Sequence, residues 1–154
     1  MKLDIGCGKS PKSDFTGIDA YVKGKGIVNA EMWSLPFGDG QVEQIYSSHA
    51  LEHVSKKQVV PTLKEWYRVL KPGGVADIRV PDLEYCCETW LEKQTNDFYM
   101  DILFGNQNHE GEFHKTGFTI SIMTKYLHEA GFTNIHASSI WSHEQNTLVF
   151  LVVK

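Results

Sequence analysis

The sequence predicts a single α/β domain built on a mostly parallel sheet. Three observations carry this. Short β-patterned segments alternate with helical ones through the middle of the chain. An apolar strand opens the chain and runs at once into the glycine turn Gly6-Cys7-Gly8. Two final β segments are joined by a short connection, which suits an antiparallel pair. A length of 154 residues fits one domain with one core.

Leu3-Asp4-Ile5 is the first strand, closed by the turn Gly6-Cys7-Gly8-Lys9-Ser10-Pro11. Phe15 to Asp19 reads as the second and ends in a carboxylate; Gly26 to Ala30 is a weaker third. Val42 to Ser48 alternates and is rich in β-formers, hence a fourth. From Ser55 to Leu70, the apolar residues Val59, Leu63, Trp66, Tyr67 and Leu70 recur at helical spacing, with Ser55 placed to cap the start. Lys71-Pro72-Gly73-Gly74 stops that helix, and Val75 to Val80 follows as a fifth strand. Asp82 to Leu103 is mostly helical in pattern and readable as two pieces. Gly105 to Gly117 is polar and glycine-containing, hence a loop. Ile120 to Ala130 is a helix closed by Gly131. Asn134 to Ile140 and Thr147 to Val153 are the last strands, linked through Trp141–Asn146.

Residues 6–14 and 20–25 are too few for full crossover helices. The first half is therefore expected to carry single helical turns at most. One flank of the sheet is then thinly covered, which leaves room for a partner subunit or a homodimer contact.

Charge and composition narrow the function. No apolar run approaches the roughly 18 residues that span a bilayer. The start of the sequence lacks the pattern of a signal peptide. A cytoplasmic protein is expected. The net charge of −4 and the scattered basic residues, in small groups at Lys9/Lys12 and Lys23/Lys25, give no electrostatic track for nucleic acid. Three cysteines, two of them adjacent at Cys86 and Cys87, make no disulfide framework and no Cys-x-x-Cys pair. They read as reduced thiols, with Cys7 small enough for its glycine turn.

The turn Asp4-Ile5-Gly6-Cys7-Gly8, directly after a strand, lets the backbone bend sharply and approach a ligand. Its amides can face an anion or carboxylate. Asp19, at the end of the second strand, stands where nucleotide-binding sheets place an acceptor for ribose hydroxyls. An ordinary strand turn and a turn-capping aspartate are the plain alternatives. The interval from the turn to Asp19 is shorter than the roughly 20 residues of the dinucleotide fingerprint.

Further segments extend the pattern. Leu3-Asp4-Ile5-Gly6-Cys7-Gly8 resembles motif I of the class I S-adenosylmethionine (SAM)-dependent methyltransferases, a small, type-11-like member. Glu31-Met32-Trp33-Ser34-Leu35-Pro36-Phe37 is similar to their segment after strand three, Ile45 to Val54 to the one after strand four, and Leu70-Lys71-Pro72-Gly73-Gly74 to the turn before strand five. The likeness runs in order from Leu3 to Lys154. It implies a Rossmann-like, seven-stranded sheet of order 3-2-1-4-5-7-6 with strand 7 antiparallel. It also implies SAM as cofactor. Gly6 and Gly8, with Cys7 between them, would hold its methionine part, Asp19 the ribose, and Glu31 with the Met32 backbone the adenine. Asp4 would support the turn or reach the methionine amine. Ser47, Ser48 and His49 would line the methyl-donor end. Ser10 stands at the third glycine position of motif I, and Glu31 where aspartate is common. The family's N-terminal helices have no counterpart, since the first strand begins at about residue 2.

Several features compete. His49-Ala50-Leu51-Glu52-His53 matches a zinc-peptidase pattern in which two histidines on one helix face bind the ion. Here it falls at a strand end, and no third ligand is indicated. The loop 105–118 carries His109, Glu110, Glu112 and His114, which could also meet at a metal. No metal is assigned from either pattern. His49 and His114 are instead the candidate bases, since histidine titrates near neutrality. Cys86, Cys87 and most tryptophans read as packing, and Trp33 as a neighbour of the adenine site. The Asn/Asp-Pro-Pro-aromatic sequence of amino methyltransferases acting on DNA bases is missing, as Ser47-Ser48-His49-Ala50 fills its place. The expected activity is methyl transfer to a small-molecule or sugar-like acceptor. The alternative is a non-catalytic SAM-binding partner subunit. Lys71-Pro72-Gly73-Gly74 and Leu35-Pro36-Phe37 argue against a nicotinamide dehydrogenase.

Overall fold

A computed structural model describes residues 1–93, 98–142 and 145–154. Residues 94–97, within the helical stretch expected over 82–103, and residues 143–144, within the expected final connection, lie outside the described residues. The elements are β1 (Lys2–Ile5), β2 (Thr16–Asp19), β3 (Ile27–Asn29), β4 (Val42–Ser48), α1 (Lys56–Val69), β5 (Leu70–Pro81), α2 (Leu83–Lys93), α3 (Phe98–Phe104), α4 (Ile120–Ala130), β6 (Asn134–Ser142) and β7 (Gln145–Val153). Short 3₁₀ turns cover Leu51–His53 and Glu110–Glu112.

The sheet has seven strands in the order β3-β2-β1-β4-β5-β7-β6. β1 to β5 pair in parallel, and β7 runs antiparallel to both β5 and β6. The predicted order and the antiparallel β7 are both observed. The final hairpin is tighter than expected, because Trp141 pairs with Asn146 and Ser142 with Gln145. The segments joining β1, β2 and β3 contain no helix.

β5 differs from expectation. It begins at Leu70 rather than Val75. Leu70 pairs with Val42, the register then shifts, and Val75 pairs with Gln44. The glycine turn is thus an irregularity inside the strand. Gly73 takes φ 76° and donates its amide to the Lys154 carbonyl at 2.8 Å, so the chain's last residue pins it. The cap at Ser55 also differs. Ser55 occupies the N-cap, but its hydroxyl donates to Gln58 Oε1 at 3.1 Å instead of accepting from a backbone amide. Thr119 caps α4 through Ile122 N, and Gly131 ends it at φ 111°, where only glycine is unstrained.

Alternation along the strands divides the sheet. Ile5, Ile18, Ile45, Ile78, Phe150 and Val152 belong to the main core with Val59, Leu63 and Trp66 of α1 and Met123 and Leu127 of α4. The opposite face carries Asp4, Tyr46, Asp77 and Arg79, residues that pair across β1, β4 and β5. There Arg79 bonds Asp77 at 2.9 Å and lies over the Tyr46 ring, which also receives Lys12. α2 and α3 bury a separate cluster of Cys86, Tyr99 and Ile102. No helix among the described residues is long and apolar enough to cross a membrane.

Candidate active site at the strand ends

Parallel strands direct their carboxyl ends to one edge, where ligands of open α/β sheets bind. Two cavities open there. The first, about 340 Å³, is lined by Gly6, Gly8, Asp19, Glu31, Met32, Trp33 and loop residues including His109 and Lys115. The second, about 600 Å³, is lined by Asp4, Cys7, Tyr46, Ser48, Glu52, Asp101, His114 and others. Gly6, His49, His53 and Glu112 belong to both walls. Both volumes fall in the range of small-molecule sites.

The glycine turn is held from below. Gly6 sits at φ 72°, and a Cβ there would overlap the Ala50 methyl. Gly8 has φ 57° with open space around it. The turn's amides are less available than the sequence suggests. Gly6 N and Cys7 N both donate to the Ile18 carbonyl, at 2.8 and 3.3 Å, and Gly8 N donates to Asp19 Oδ2 at 2.9 Å. The amides therefore couple β1 to β2 instead of facing solvent. Asp4 is buried and accepts from Lys12 N at 2.7 Å, so it supports the turn; burial raises its carboxyl pKa, partly offset by that bond. Cys7 faces the second cavity. Burial, then the carboxylates of Asp4 and Asp19, push its thiol up to about 11.

Asp19 gathers three backbone donors: Gly8 on Oδ2, and Tyr21 and Val22 on Oδ1 at 2.9 and 2.8 Å. A carboxylate offers about four lone-pair positions, so Oδ2 keeps acceptor capacity beyond the Gly8 amide, and Asp19 lines the first cavity. Glu31 is exposed at the rim. Met32 is fixed by its carbonyl, which accepts from the Trp66 indole at 2.9 Å.

The strand-four segment divides. Ser48 and His49 line the second cavity, His49 borders the first as well, and Ser47 lines neither. Side chains alternate along a strand, so Ser47 shares the face of Ile45 and is wholly buried, its hydroxyl without a hydrogen-bond partner. Tyr46, on the other face, reaches the cavity in its place. His49 adopts a left-handed φ of 52°; its Nδ1 stands 3.6 Å from Glu52 Oε1 and its Nε2 3.4 Å from Thr147 Oγ1.

The loop 105–118 contributes walls to both cavities. Lys115 N and Thr116 N donate to the Glu52 carbonyl, and Thr116 Oγ1 donates to the Val54 carbonyl. His109 packs on Tyr21 at the first cavity. His114 sits in the second, its Nδ1 2.6 Å from the Ile102 carbonyl; burial is the main cause that lowers its pKa. The four polar loop residues do not converge. His109 faces Glu112 at 3.4 Å, Glu110 pairs with Lys115, and His114 turns to Ile102. Sequence reasoning did not single out Tyr21, Tyr46 or Asp101 as cavity walls, since an isolated Tyr or Asp has no signature before the strands are placed.

Residues 3–76 match the family model of a methyltransferase domain, which reaches from β1 into β5. A Thermotoga maritima structure, described as a SAM-dependent methyltransferase and possible histamine N-methyltransferase, aligns with TM-score 0.71 at 17% identity, over 99% of this chain and 81% of that one. A SAM-dependent methyltransferase from Methanosarcina mazei aligns with TM-score 0.71 at 20% identity, over 99% and 91%. The 1,6-didemethyltoxoflavin-N1-methyltransferase of Burkholderia thailandensis, with bound 1,6-didemethyltoxoflavin and S-adenosylhomocysteine, aligns with TM-score 0.67 at 16% identity, over 99% and 70%. No curated protein sequence matches the chain. At these identities the structural likeness establishes the fold.

Proposed function

We propose that this chain, whose residues 3–76 match a methyltransferase-domain model, is a class I SAM-dependent methyltransferase that moves a methyl group from SAM to a small-molecule or sugar-like acceptor. The observation that carries the reading is the shared wall of the two cavities at Gly6, His49 and His53. One cavity can hold the donor and the other the acceptor, with their reactive ends meeting at that wall.

The first cavity fits SAM in the chemistry of its lining. Asp19 presents an open lone pair for ribose hydroxyls. Glu31 and the Met32 amide can meet the adenine edge, between apolar walls that include Ile18, Ala30 and Trp33. The Gly6–Gly8 turn, with Asp4 and Cys7 beside it, borders the methionine end. SAM supplies a methyl group already activated on a sulfonium. The chain's own task is alignment, worth on the order of 7–11 kcal/mol at best.

The second cavity is lined by carboxylates, hydroxyls and imidazoles, including Asp4, Ser48, Asp101 and Glu112. Such a lining favours a hydroxyl-rich acceptor over an apolar one. His49 and His114 face this space and are the candidate acceptors of the substrate's proton. The acceptor cavity is formed by residues of this chain, which favours catalysis by the chain itself over service as a silent SAM-binding subunit.

The test is side-by-side calorimetric titration with S-adenosylhomocysteine and NAD, then incubation with SAM and a metabolite pool. Binding of the first ligand alone, followed by acceptor-dependent release of S-adenosylhomocysteine, is expected. Preference for NAD overturns the family-based reading. Tight binding with no turnover in any acceptor pool overturns the catalytic one.

A further inference from the structure

Glu52 is 1% exposed, and neither carboxylate oxygen accepts a hydrogen bond. A buried carboxylate without donors is costly unless something positive meets it. Around it stand imidazoles: His49 Nδ1 is 3.6 Å from Oε1, and ligand atoms of Glu52, His53 and His114 all lie within 4.8 Å of one another. The His53 and His114 rings meet edge to face at 4.9 Å.

Each of these two rings is held through its other nitrogen. His53 Nδ1 lies 3.2 Å from the Phe113 carbonyl, and His114 Nδ1 lies 2.6 Å from the Ile102 carbonyl. A carbonyl oxygen can only accept, so Nδ1 carries the proton in both rings, and in the neutral imidazole the lone pair is on Nε2. This is how a protein prepares histidines for a metal, with a backbone carbonyl fixing tautomer and ring plane. The scaffold is also tied together, because the Glu52 carbonyl takes the amides of Lys115 and Thr116 next to His114.

We propose that Glu52, His53 and His114 bind one divalent transition-metal ion of the zinc, cobalt or manganese type, with its open positions toward the 600 Å³ cavity. Two imidazole nitrogens and one carboxylate favour such an ion over magnesium or calcium. Metal–ligand distances of about 2.0–2.2 Å require the three donors to draw closer than they stand here, by side-chain rotation. The set differs from the His-x-x-Glu-His arrangement, because the third ligand comes from the distant loop and His49 stands beside the carboxylate.

The use of the ion rests on the methyl-transfer reading; its binding does not. An acceptor hydroxyl on the open side is polarised, and its proton leaves more readily at neutral pH. The acceptor is then an oxygen nucleophile. His114 serves as ligand, and proton acceptance falls to His49 or water.

The experiment strips the full chain with a chelator and titrates it with Zn²⁺ by calorimetry and with Co²⁺ by visible absorption. Saturable binding of one ion per chain is expected, with cobalt bands of a nitrogen–oxygen site. His53→Ala and His114→Ala should each weaken binding by more than the roughly 10–100-fold typical of a lost supporting contact. His136→Ala, on the exposed part of β6, should leave it unchanged. Glu52→Gln should keep the fold, checked by thermal unfolding, and lose the ion. Absence of saturable binding, or binding unchanged in the two histidine variants, overturns the proposal. S-adenosylhomocysteine is titrated into the same metal-free sample. If it binds and metal does not, the methyl-transfer reading survives alone; if metal binds and it does not, the metal site survives alone.

Discussion

The indole N–H of Trp66 donates to the carbonyl oxygen of Met32 at 2.9 Å, joining a fully buried helix residue to the wall of the 340 Å³ cavity. Two neighbours on α1 extend the link. Glu65 Oε1 accepts from Leu35 N at 2.8 Å, and Arg68 donates to the Phe37 carbonyl at 2.9 Å. The segment that carries Glu31 and Met32 has no regular structure of its own, so α1 holds it in place.

Trp66→Phe removes the donor while keeping an aromatic ring in the core. The Met32 carbonyl loses its partner, and some volume is left unfilled. A loss of roughly 1–3 kcal/mol in folding stability is expected. Titration with S-adenosylhomocysteine should also show weaker binding, since the adenine wall loosens. If stability falls and affinity does not, the link between helix and cavity wall is structural only.

Acid should act on the same segment. Glu65 accepts from Arg68 Nε at 2.7 Å as well as from Leu35 N, and the Arg68 bonds are the main cause that lowers its pKa below the ordinary 4.5. A carboxylate with a depressed folded pKa stabilises the fold above its unfolded value, and that contribution is lost as pH falls through the folded value. Urea unfolding at about pH 6 and about pH 3.5 should therefore show a larger drop for the wild-type chain than for Glu65→Gln. Equal drops would remove Glu65 from the acid response.

The two turn glycines separate backbone strain from space. Both lie in the left-handed region, but only at Gly6 would a Cβ meet another residue, Ala50. Gly8→Ala should cost about 1–2 kcal/mol from backbone strain alone. Gly6→Ala carries the same strain and displaces Ala50 beside His49, so its stability loss should be larger and its ligand binding abolished. Thermal unfolding and titration of both variants check the order; a Gly8 variant more damaged than the Gly6 one contradicts it.

Legibility in the sequence followed the reach of each signal. Val42–Ser48 and Ile120–Ala130 were readable to the residue, because alternation and helical spacing are local and Gly131 marks a stop. The start of β5 was hidden. Leu70 continues a helical pattern, and only Val42 across the sheet makes it a strand. Ser47 was placed at the cavity by resemblance, yet a one-residue step along β4 turns it into the core while Tyr46 and Ser48 face the site. The turn amides looked free because the Ile18 carbonyl that takes them comes from the next strand. Glu52 was visible only as part of a local motif. Its missing donors and its approach to His114 depend on a loop more than fifty residues away.

Asp19 is where the turn geometry meets the proposed ribose site. Its carboxylate holds the amides of Gly8, Tyr21 and Val22 and borders the 340 Å³ cavity. Asn has the same shape but one acceptor oxygen, and its NH₂ group must face at least one of those amides. Hydrogen bonds to a charged group are worth about 1.5–3 kcal/mol each. Asp19→Asn should therefore lower the thermal midpoint and weaken S-adenosylhomocysteine binding by roughly 10–100-fold. A second ligand separates the two effects. 2′-Deoxy-S-adenosylhomocysteine lacks a ribose hydroxyl, so the wild-type chain should bind it less well than the parent ligand. In Asp19→Asn that difference should shrink toward zero. If it persists at full size, Asp19 serves the turn and another residue holds the ribose.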